Sequence, residues 1–357
     1  MLKLFLAPLS WIYGMAIAVR NWLYDTDIRK SVTVDVPVVC VGNITVGGTG
    51  KTPMCEMLIA HFRETYNVGL ISLGYGRRTR GYREVTPGSA YRNVGDEPKQ
   101  IKINYPDTIV AVCKNRVAGI ERMLREHPEV NLIIMDDGFQ YRRLAPKLNI
   151  VMVDYTRPID KDKLLPLGRL RDQRKQMRRA HYVVVTKCPA GMTPLDRRII
   201  RNNLELLPFQ NLSFTRVVTG APYPAFPDIA GERKVGAGSR VVAMAGLGNP
   251  EPFVKGLAAK YDLRDELLWG DHHPYVTRDL THMKESLEDA GPEAVIVTTA
   301  KDAVKFGNGA KIDPELRARI FVQPITMGFI EETKENFLKK LTYDVATDQK
   351  NSLFYSR

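Results

Sequence analysis

The sequence predicts an α/β protein in which a parallel-sheet domain is followed by a second, smaller α/β/α domain. Short apolar runs rich in valine and isoleucine alternate with segments of helical periodicity through the first part of the chain. A stretch rich in proline, glycine and alanine interrupts this alternation, and a shorter alternation of the same kind follows it. Strands that alternate with helices are typical of parallel sheets covered by helices on both faces.

The chain begins with an apolar segment that predicts a membrane-associating helix over residues 1–24. Residues 4–19 carry no charge, and a basic and aromatic fringe of Arg20, Trp22 and Tyr24 follows them. As a helix this run spans about 24 Å, which is short of the ~30 Å hydrocarbon core of a bilayer. A helix partly sunk into one leaflet fits this length better than a complete span. A secretory signal and a buried core helix are the alternatives.

Residues 38–52, VVCVGNITVGGTGKT, have the pattern of a nucleotide phosphate-binding loop between a buried strand and a helix predicted over 51–66. Glycines let successive backbone N–H groups converge on phosphate oxygens, and Lys51 adds a positive charge for the terminal phosphates. The Thr52 hydroxyl suits the Mg²⁺ that accompanies them. The predicted nucleotide-binding residues are Thr45, Val46, Gly47, Gly48, Thr49, Gly50, Lys51 and Thr52. A chance glycine turn at a helix start is the alternative.

The alternation continues on both sides of a composition change near residues 207–236, which predicts the domain boundary. Predicted strands of the first domain cover 68–72, 108–112, 132–135, 149–153 and 182–185, with a helix over 115–126. Those of the second cover 241–245, 266–269, 294–298 and 320–324, with helices over 252–260, 277–289 and 332–340. We therefore predict the helix at 1–24, a nucleotide-binding domain over 25–212, a β linker over 213–239 and a smaller domain over 240–357, whose last helix can pack back on the first domain.

Two clusters that contain acidic residues are candidates for metal binding and for acid–base catalysis. Asp136 and Asp137 end the apolar strand that precedes Gly138, where phosphate-loop enzymes hold magnesium, so both are predicted metal ligands with Thr52. Asp137 can instead orient the attacking group, and an ordinary acidic turn after a strand is the alternative for both. Asp96 in GDEP and His272 in DHHP are each more typical of turns when taken alone. Together, an aspartate and a histidine suggest a general base with a partner that tunes its protonation.

The charge and residue composition of the chain indicate which kinds of molecule it binds. The 357 residues carry a net charge of +12, which predicts an anionic partner such as a nucleotide, nucleic acid or acidic membrane surface. Arginines lie among glycines near residues 76–83 and 168–179, an arrangement suited to phosphate groups, although such runs are usually solvated. Aromatic residues do not interleave with them as in a single-strand groove. The separated cysteines Cys40, Cys55, Cys113 and Cys188 indicate reduced core thiols.

Taken together, these segments resemble the tetraacyldisaccharide 4′-kinase (lipid A 4′-kinase) family over nearly the full length. The resemblance is carried by the apolar N-terminal helix, VGNITVGGTGKTP, GYGR, GDEP, NRV, DDGFQ, LLPLGRLRD, AGLGNP, DHH and KDAVKF. Thr45 in place of the first loop glycine is normal for this family. The chain departs from the family pattern at Leu73, Tyr141, Asp172 and Ala300.

The resemblance implies a P-loop kinase that transfers the γ-phosphate of ATP to the 4′-hydroxyl of tetraacyldisaccharide 1-phosphate, forming lipid IVA in lipid A biosynthesis. Its implied cofactors are ATP and Mg²⁺, and its implied partners are the glycolipid and a membrane surface, without nucleic acid. It implies a peripheral or monotopic protein at the cytoplasmic face of the bacterial inner membrane, with the active site in a cleft that the smaller domain closes.

Matched position by position, the resemblance gives each candidate residue a role. Asp96 is the base, His272 its partner, and Lys51 the third catalytic residue. The implied contacts with the lipid headgroup are Arg77, Arg169 and Arg171. A membrane-associated regulatory P-loop ATPase of the partition or targeting type is the alternative function, although Val46 stands where that class carries a lysine.

Overall fold

The structure is a computed structural model that describes residues 2–306 and 312–347, with the side chains of residues 2–5 left out. The strands in chain order are β1 Val38–Gly42, β2 Val68–Ser72, β3 Arg83–Glu84, β4 Ile109–Val112, β5 Leu132–Asp136, β6 Leu148–Asp154, β7 Tyr182–Thr186, β8 Asn211–Thr219, β9 Tyr223–Pro224, β10 Arg240–Gly246, β11 Asp262–Trp269, β12 Val295–Thr299, β13 Ile320–Gln323 and β14 Ile325–Phe329.

The helices in chain order are α1 Leu2–Asp25, α2 Lys51–Phe62, α3 Tyr91–Val94, α4 Asp96–Asn104, α5 Arg116–Glu126, α6 Pro194–Leu204, α7 Pro227–Ala230, α8 Glu251–Ala258, α9 Thr277–Ala290, α10 Ala300–Ala303, α11 Pro314–Ala318 and α12 Lys334–Ala346. Short 3-10 helices cover Arg174–Arg179 and Val304–Phe306. The chain falls into two compact units, the first made of the residues up to Leu73, Asp107–Val217 and the chain from Met327 on, and the second of Gly74–Pro106 and Val218–Thr326.

The first unit is built on a parallel sheet with the strand order β8-β7-β6-β1-β5-β2-β4. Every residue of β1, β2, β5, β6 and β7 is buried, as expected for strands with helices on both faces. β1 lies between β5 and β6, with Val41 opposite Asp136. The predicted α/β class with a parallel sheet is confirmed, and the carboxyl ends of β1 and β5 meet at one edge of that sheet.

Two predicted helices of the first unit differ from the observed ones at their ends. α2 ends at Phe62, because the buried stripe of Met54, Leu58 and Phe62 is followed by the exposed residues 63–65, and the Thr65 N–H makes the tighter i→i−3 bond to the Phe62 carbonyl. The last helix starts at Lys334, where Thr333 accepts a hydrogen bond from the Asn336 N–H as a cap. It continues to Ala346 because Leu341 and Val345 extend the buried stripe.

The second unit has its own sheet, in the order β11-β10-β12-β13-β9. Its first four strands are parallel, and β9 pairs with β13 in the antiparallel direction. One core cluster joins Met244 and Ile296 of the sheet to Met283 and Leu287 of α9, and a second lies on the other face around Val297 and Leu257 of α8. Apolar residues on both faces of the central strands thus explain a sheet covered by helices.

Helix α1 is held to the first unit by polar contacts. Ser10 Oγ donates to the Leu164 carbonyl at 2.8 Å, and Tyr13 Oη donates to the Arg171 carbonyl at 3.0 Å. The other side of α1 exposes large apolar residues, among them Leu9, Trp11, Ile12, Met15, Val19 and Trp22. Within the described ranges, no helix combines the length and the apolar character needed to cross a membrane. The predicted functional division at residues 24, 212 and 239 stays a prediction.

Candidate active site

The loop between β1 and α2 has the geometry expected of an anion-binding turn. Gly47 and Gly50 have φ angles of 107° and 89°, in the left-handed region that glycine adopts without a steric penalty. Gly50 is the N-cap of α2 and has no side chain to bond the first helical N–H groups. The N-terminus of α2 can therefore present those donors to a phosphate.

Buried polar side chains brace this loop from behind. Asn43 Nδ2 donates to Thr49 Oγ1 at 2.8 Å, and Thr186 Oγ1 donates to the Thr49 carbonyl at 3.0 Å. Gln140 Nε2 donates to the Asn43 carbonyl at 2.6 Å. The loop is thus held by hydrogen bonds from Asn43 within it, from Thr186 at the end of β7 and from Gln140 after β5, an arrangement that reduces the ordering cost of binding.

A second segment, residues 162–172, pairs with the phosphate-binding loop. The Val46 N–H donates to the Arg169 carbonyl at 2.9 Å, and the Arg171 N–H donates to the Ile44 carbonyl at 2.7 Å. The Arg171 side chain also donates to the Asn43 amide oxygen. The GRLRD motif therefore forms the flank of the nucleotide loop.

Asp136 and Asp137 lie at the end of β5 in different environments. Asp136 is 2% exposed and accepts hydrogen bonds from Ser72 Oγ at 3.0 Å and from the Cys55 thiol. Asp137 accepts two from the Arg171 guanidinium, at 2.6 and 3.0 Å, and lies 3.7 Å from Lys51 Nζ. Burial would raise the pKa of Asp137, but Lys51 and Arg171 lower it to about 2. Asp137 is therefore ionised throughout the neutral range.

The residues present fit a magnesium ion. Mg²⁺ takes oxygen ligands and is usually held by one or two carboxylates together with substrate phosphates. Thr52 lies in the first turn of α2, while Asp136 and Asp137 end the neighbouring strand β5. Because β1 pairs with β5, with Val41 opposite Asp136, these oxygen donors belong to one edge of the sheet.

The second unit brings Asp96 and His272 together. Asp96 begins α4 and is 4% exposed, and His272 follows β11. His272 Nδ1 lies 2.9 Å from Asp96 Oδ2, a hydrogen bond across 176 residues of sequence. Gly95 precedes Asp96 at a φ of 93°, and an added Cβ there would lie 3.1 Å from Gly74 Cα. The GDEP glycine thus lets the start of α4 approach the Gly74 turn.

Charges around this pair set its protonation. Burial would raise the pKa of Asp96, but the His272 hydrogen bond and the Lys301 ammonium bring it below its ordinary value. The same hydrogen bond raises the pKa of His272. The ring of Tyr75 lies 5.2 Å from that of His272 and covers one side of it. The carboxylate is therefore ionised at neutral pH and is partly enclosed.

Asp137 and His272 also share an unusual backbone conformation. Their φ angles are +47° and +60°, a region that few residues other than glycine occupy. Each such residue costs on the order of 1–3 kcal/mol and persists where the surrounding contacts impose it, often at functional sites. Asp137 contacts Lys51 and His272 contacts Asp96, so both conformations occur at residues of the candidate site.

The remaining predicted residues lie in three different settings. Arg77 belongs to the second unit, where its guanidinium donates to the Gly81 carbonyl at 2.7 Å. Arg169 belongs to the first unit and its side chain is exposed. Arg171 is engaged with Asp137. Their predicted lipid contacts stay a prediction.

Two residues with close contacts in these sites have no role in the sequence analysis. Asn43 is a buried amide in the phosphate-binding loop, and Lys301 lies within 3.2 Å of His272 Nε2. The position of Asn43 within VGNITVGG was the available signal for the first. For Lys301 the signal was its place directly after a buried strand, which many surface lysines share.

The first unit has the features of the P-loop phosphotransferase class. They are a central parallel strand, a hydrogen-bonded glycine loop at the start of a helix, and acidic residues at the end of the neighbouring strand. The comparisons with known proteins agree with this class. Residues 2–343 match the family model described as "Tetraacyldisaccharide-1-P 4'-kinase". The chain belongs to this family and is a kinase.

Similar proteins cover nearly the whole chain. The tetraacyldisaccharide 4'-kinase of Phocaeicola vulgatus is 37% identical over 355 residues, covering 98% of this chain and 97% of that protein. That of Bacteroides thetaiotaomicron is 37% identical over 363 residues, covering 99% and 96%. The crystal structure of LpxK from Aquifex aeolicus in complex with ATP is 28% identical with a TM-score of 0.73, covering 97% of this chain and 100% of that one.

Proposed function

We propose that this kinase transfers the γ-phosphate of ATP to the 4′-hydroxyl of tetraacyldisaccharide 1-phosphate, the step that forms lipid IVA in lipid A biosynthesis. The observation that carries the proposal is the 2.9 Å hydrogen bond between Asp96 and His272. A regulatory ATPase that only hydrolyses or holds its nucleotide does not require a buried, ionised carboxylate tuned by a histidine. A kinase requires such a group to accept the proton of an alcohol.

The first unit supplies ATP binding. The backbone N–H groups of the loop and the first turn of α2 receive the phosphates, and Lys51 neutralises their terminal charge. The 3.7 Å contact between Lys51 and Asp137 keeps the ammonium at the mouth of this loop. Thr45–Thr52 are the proposed ATP-binding residues.

Thr52, Asp136 and Asp137 are the proposed residues for Mg²⁺. When bound, magnesium neutralises charge that develops on the phosphate oxygens. Ser72 and Cys55 hold the Asp136 carboxylate in one orientation, and Arg171 holds that of Asp137. Both carboxylates are thereby held by donors on β2, α2 and the segment 162–172.

The second unit supplies the base. Asp96 takes the proton of the 4′-hydroxyl as that oxygen forms a bond to the γ-phosphorus and the bond to the β–γ bridging oxygen breaks. ADP leaves with the bridging oxygen, and the phosphorylated lipid leaves after Asp96 returns its proton to solvent. His272 orients the carboxylate through Nδ1. Positioning and charge supply most of the rate in such transfers.

The lipid and membrane contacts complete the proposal. Arg169 is exposed beside the nucleotide loop and suits a lipid phosphate, with Arg77 and Arg171 as further headgroup contacts. The apolar side of α1 and the net charge of +12 support a peripheral or monotopic protein at the cytoplasmic face of the bacterial inner membrane. We retain residues 25–212 as the catalytic domain, 213–239 as linker and 240–357 as the domain that supplies His272.

The test uses [γ-³²P]ATP with tetraacyldisaccharide 1-phosphate in mixed micelles. We expect label in the lipid, dependence on added Mg²⁺, and loss of transfer in Lys51→Met. Label that appears only as inorganic phosphate would overturn the kinase assignment and favour the regulatory ATPase. Label in a lipid with a blocked 4′-hydroxyl would overturn the acceptor position.

A further inference from the structure

Lys301 is held rigidly at the start of α10. The Thr299 hydroxyl accepts from the Asp302 N–H at 3.1 Å, which caps this short helix. Asp302 and Lys305, 0% and 1% exposed in their side chains, form an ion pair at 2.8 Å. Asp302 also accepts from the Gly246 N–H at 3.0 Å. The backbone that carries Lys301 is therefore fixed to β10 and β12.

The ammonium of Lys301 lies against the outer nitrogen of His272. Its Nζ is 3.2 Å from His272 Nε2 and 2.8 Å from Asp271 Oδ1, and it lies 3.8 Å from Glu97 Oε1. An ammonium has donors and no acceptor. In the 3.2 Å contact, His272 Nε2 must therefore accept, which leaves the proton of the neutral ring on Nδ1, where Asp96 receives it.

We propose that Lys301 is a positioning residue that holds His272 in the tautomer donating Nδ1–H to Asp96 and opposes formation of the imidazolium. The proposal rests on the proposed function only in taking Asp96 to be the base. A carboxylate bonded to a neutral imidazole is a stronger base than one bonded to an imidazolium. Lys301 thus sets the lower end of the pH range in which Asp96 can accept a proton.

Opposing charges face the His272 ring from each neighbouring segment. The charged and titratable groups around it are Asp96 of α4, Asp271 of its own loop, Lys301 of α10 and Tyr75 of the Gly74 turn, with Glu97 next to Lys301 and Lys305 acting on Asp96 from further away. Hydrogen bonding to Asp96 raises the pKa of His272, and the Lys301 charge lowers it. Removing Lys301 removes the opposing charge.

Loss of the Lys301 charge is expected to move the pH profile of activity to higher pH. In the wild type, activity falls as the pH drops through the raised pKa of His272. In Lys301→Met the pKa of His272 rises further, and that of Asp96 rises as well, so both changes move the acid limb of log kcat/KM to higher pH. A unit charge at this distance shifts a pKa by about one unit or more.

The kinetic experiment measures pH profiles of the full-length kinase. We expect Lys301→Met to move the acid limb up by about one unit, and Lys301→Arg to leave it within about 0.3 units of wild type because the charge is kept. Lys284→Met, which removes an exposed pair with Asp313 at 2.7 Å in the same unit, is the matched control and should not move it. A higher KM with an unchanged acid limb would overturn the proposal and make Lys301 a substrate contact.

A second measurement needs no catalysis. The ring of His272 is followed by ¹⁵N NMR across the pH range, with His272→Gln used to assign its signals among the six histidines. We expect a protonated Nδ1 in the neutral wild-type ring, and a higher titration midpoint in Lys301→Met. Equal midpoints would overturn the role of Lys301 even if transfer occurs. Absence of lipid phosphorylation by the wild type would overturn the proposed function while leaving this readout intact.

Discussion

Asp96 is the residue whose charge the proposed chemistry needs most. We expect Asp96→Asn to lower kcat by about 100-fold or more, because the amide keeps the size of the side chain but cannot accept the proton. The Kd for ATP should stay within about 3-fold, since the phosphate-binding loop belongs to the first unit. Turnover and isothermal titration with ATP measure the two effects.

The matched control is Asp262→Asn, which removes an exposed carboxylate paired with Arg264 on β11. Asp262→Asn should leave both kcat and the Kd for ATP unchanged. An equal loss of turnover and of ATP affinity in Asp96→Asn would show that Asp96 supports the fold rather than the reaction.

Asp137 balances the cations of the nucleotide site. In Asp137→Asn, the positive charges of Lys51 and Arg171 lose their carboxylate partner, so metal-free ATP should bind at least as tightly as to wild type. Turnover with Mg²⁺ should nevertheless fall by about 100-fold or more, because a proposed metal ligand is lost. Titration with ATP in EDTA measures metal-free binding, and turnover with Mg²⁺ measures the loss of the metal ligand. Weaker metal-free binding in Asp137→Asn would contradict the proposed charge balance.

Among single residues, sequence reasoning works best where the neighbours in the chain define the environment. Asp136 ends an apolar run, and a buried strand end beside a phosphate-binding loop follows from that pattern. Asp96 and His272 are 176 residues apart, so only family resemblance could join them. Lys301 was left without a role because its partners come from α4 and from the loop after β11, which no local pattern identifies.

At the level of elements, α1 has two sides with different chemistry. Trp11 and Trp22 are 67% and 55% exposed, whereas Ser10, Ile17 and Asn21 are buried. The apolar run predicted a helix in contact with a membrane, but it could not predict which side binds the protein. The side of α1 that faces the protein is the one that contacts residues 142, 164, 171 and 172. All four residues are far from α1 in the sequence.

The exposed aromatic residues of α1 provide a direct test of membrane association. We expect the double change Trp11→Ser and Trp22→Ser to reduce binding to lipid vesicles by about 10-fold or more, because large apolar side chains no longer enter the interface. Thermal stability should hold because both side chains are exposed. Sedimentation with vesicles measures the binding.

Tyr343→Ser is the control for this experiment. It removes an aromatic residue of α12 that is 68% exposed and should not alter vesicle binding. If the double tryptophan variant sediments with vesicles as the wild type does, the apolar side of α1 is not the membrane contact.

The buried carboxylate of Asp172 fastens α1 to residues 162–172. It accepts hydrogen bonds from Arg20 at 2.9 Å and from Asn21 at 2.8 Å, and it is 0% exposed. We expect Asp172→Ala to lower the free energy of unfolding by about 2–4 kcal/mol, because it leaves a buried amide and a cation without their partner. Urea unfolding and hydrogen exchange along α1 measure the loss.

An ion pair with one exposed member on the same helix supplies the comparison. Asp25 pairs with Arg142 at 2.6 Å, but its side chain is 46% exposed. Asp25→Ala should therefore cost less than about 1 kcal/mol. Similar losses in the two variants would mean that burial of Asp172 adds nothing to the attachment of α1.

At the level of the whole molecule, the order of elements along the chain does not follow the two compact units. The central strands and the helices near residues 51–62, 116–126, 251–258 and 277–290 could be predicted because their periodicity is local, whereas α4 and α6 were not predicted. The assignment of residues 74–106 to the second unit could not, because Gly74 follows a strand of the first and only tertiary contacts of α3 and α4 reveal the association. The composition change near residues 207–236 predicted a domain boundary but gave no sign that residues 74–106 belong to the second unit.

The net charge of +12 belongs to the whole molecule and predicts a salt effect. Binding to vesicles with anionic lipid should be tighter than to neutral vesicles at 50 mM salt, and this difference should shrink at 500 mM, where exposed charges are screened. ATP turnover should not respond to added DNA or RNA. Stimulation by nucleic acid would favour a different class of NTPase.

The attachment of α1 along its length has a kinetic consequence. A helix fastened at Ser10, Tyr13 and Asn21 cannot swivel as an anchor on a flexible linker does. In the proposed membrane association, we therefore expect its apolar side to give the first unit a single orientation towards a bilayer. For a kinase in that orientation we expect the lipid to arrive by lateral diffusion in two dimensions, with a turnover set by the mole fraction of acceptor in the leaflet. Dilution with inert lipid should then slow the reaction even when the bulk acceptor concentration is constant.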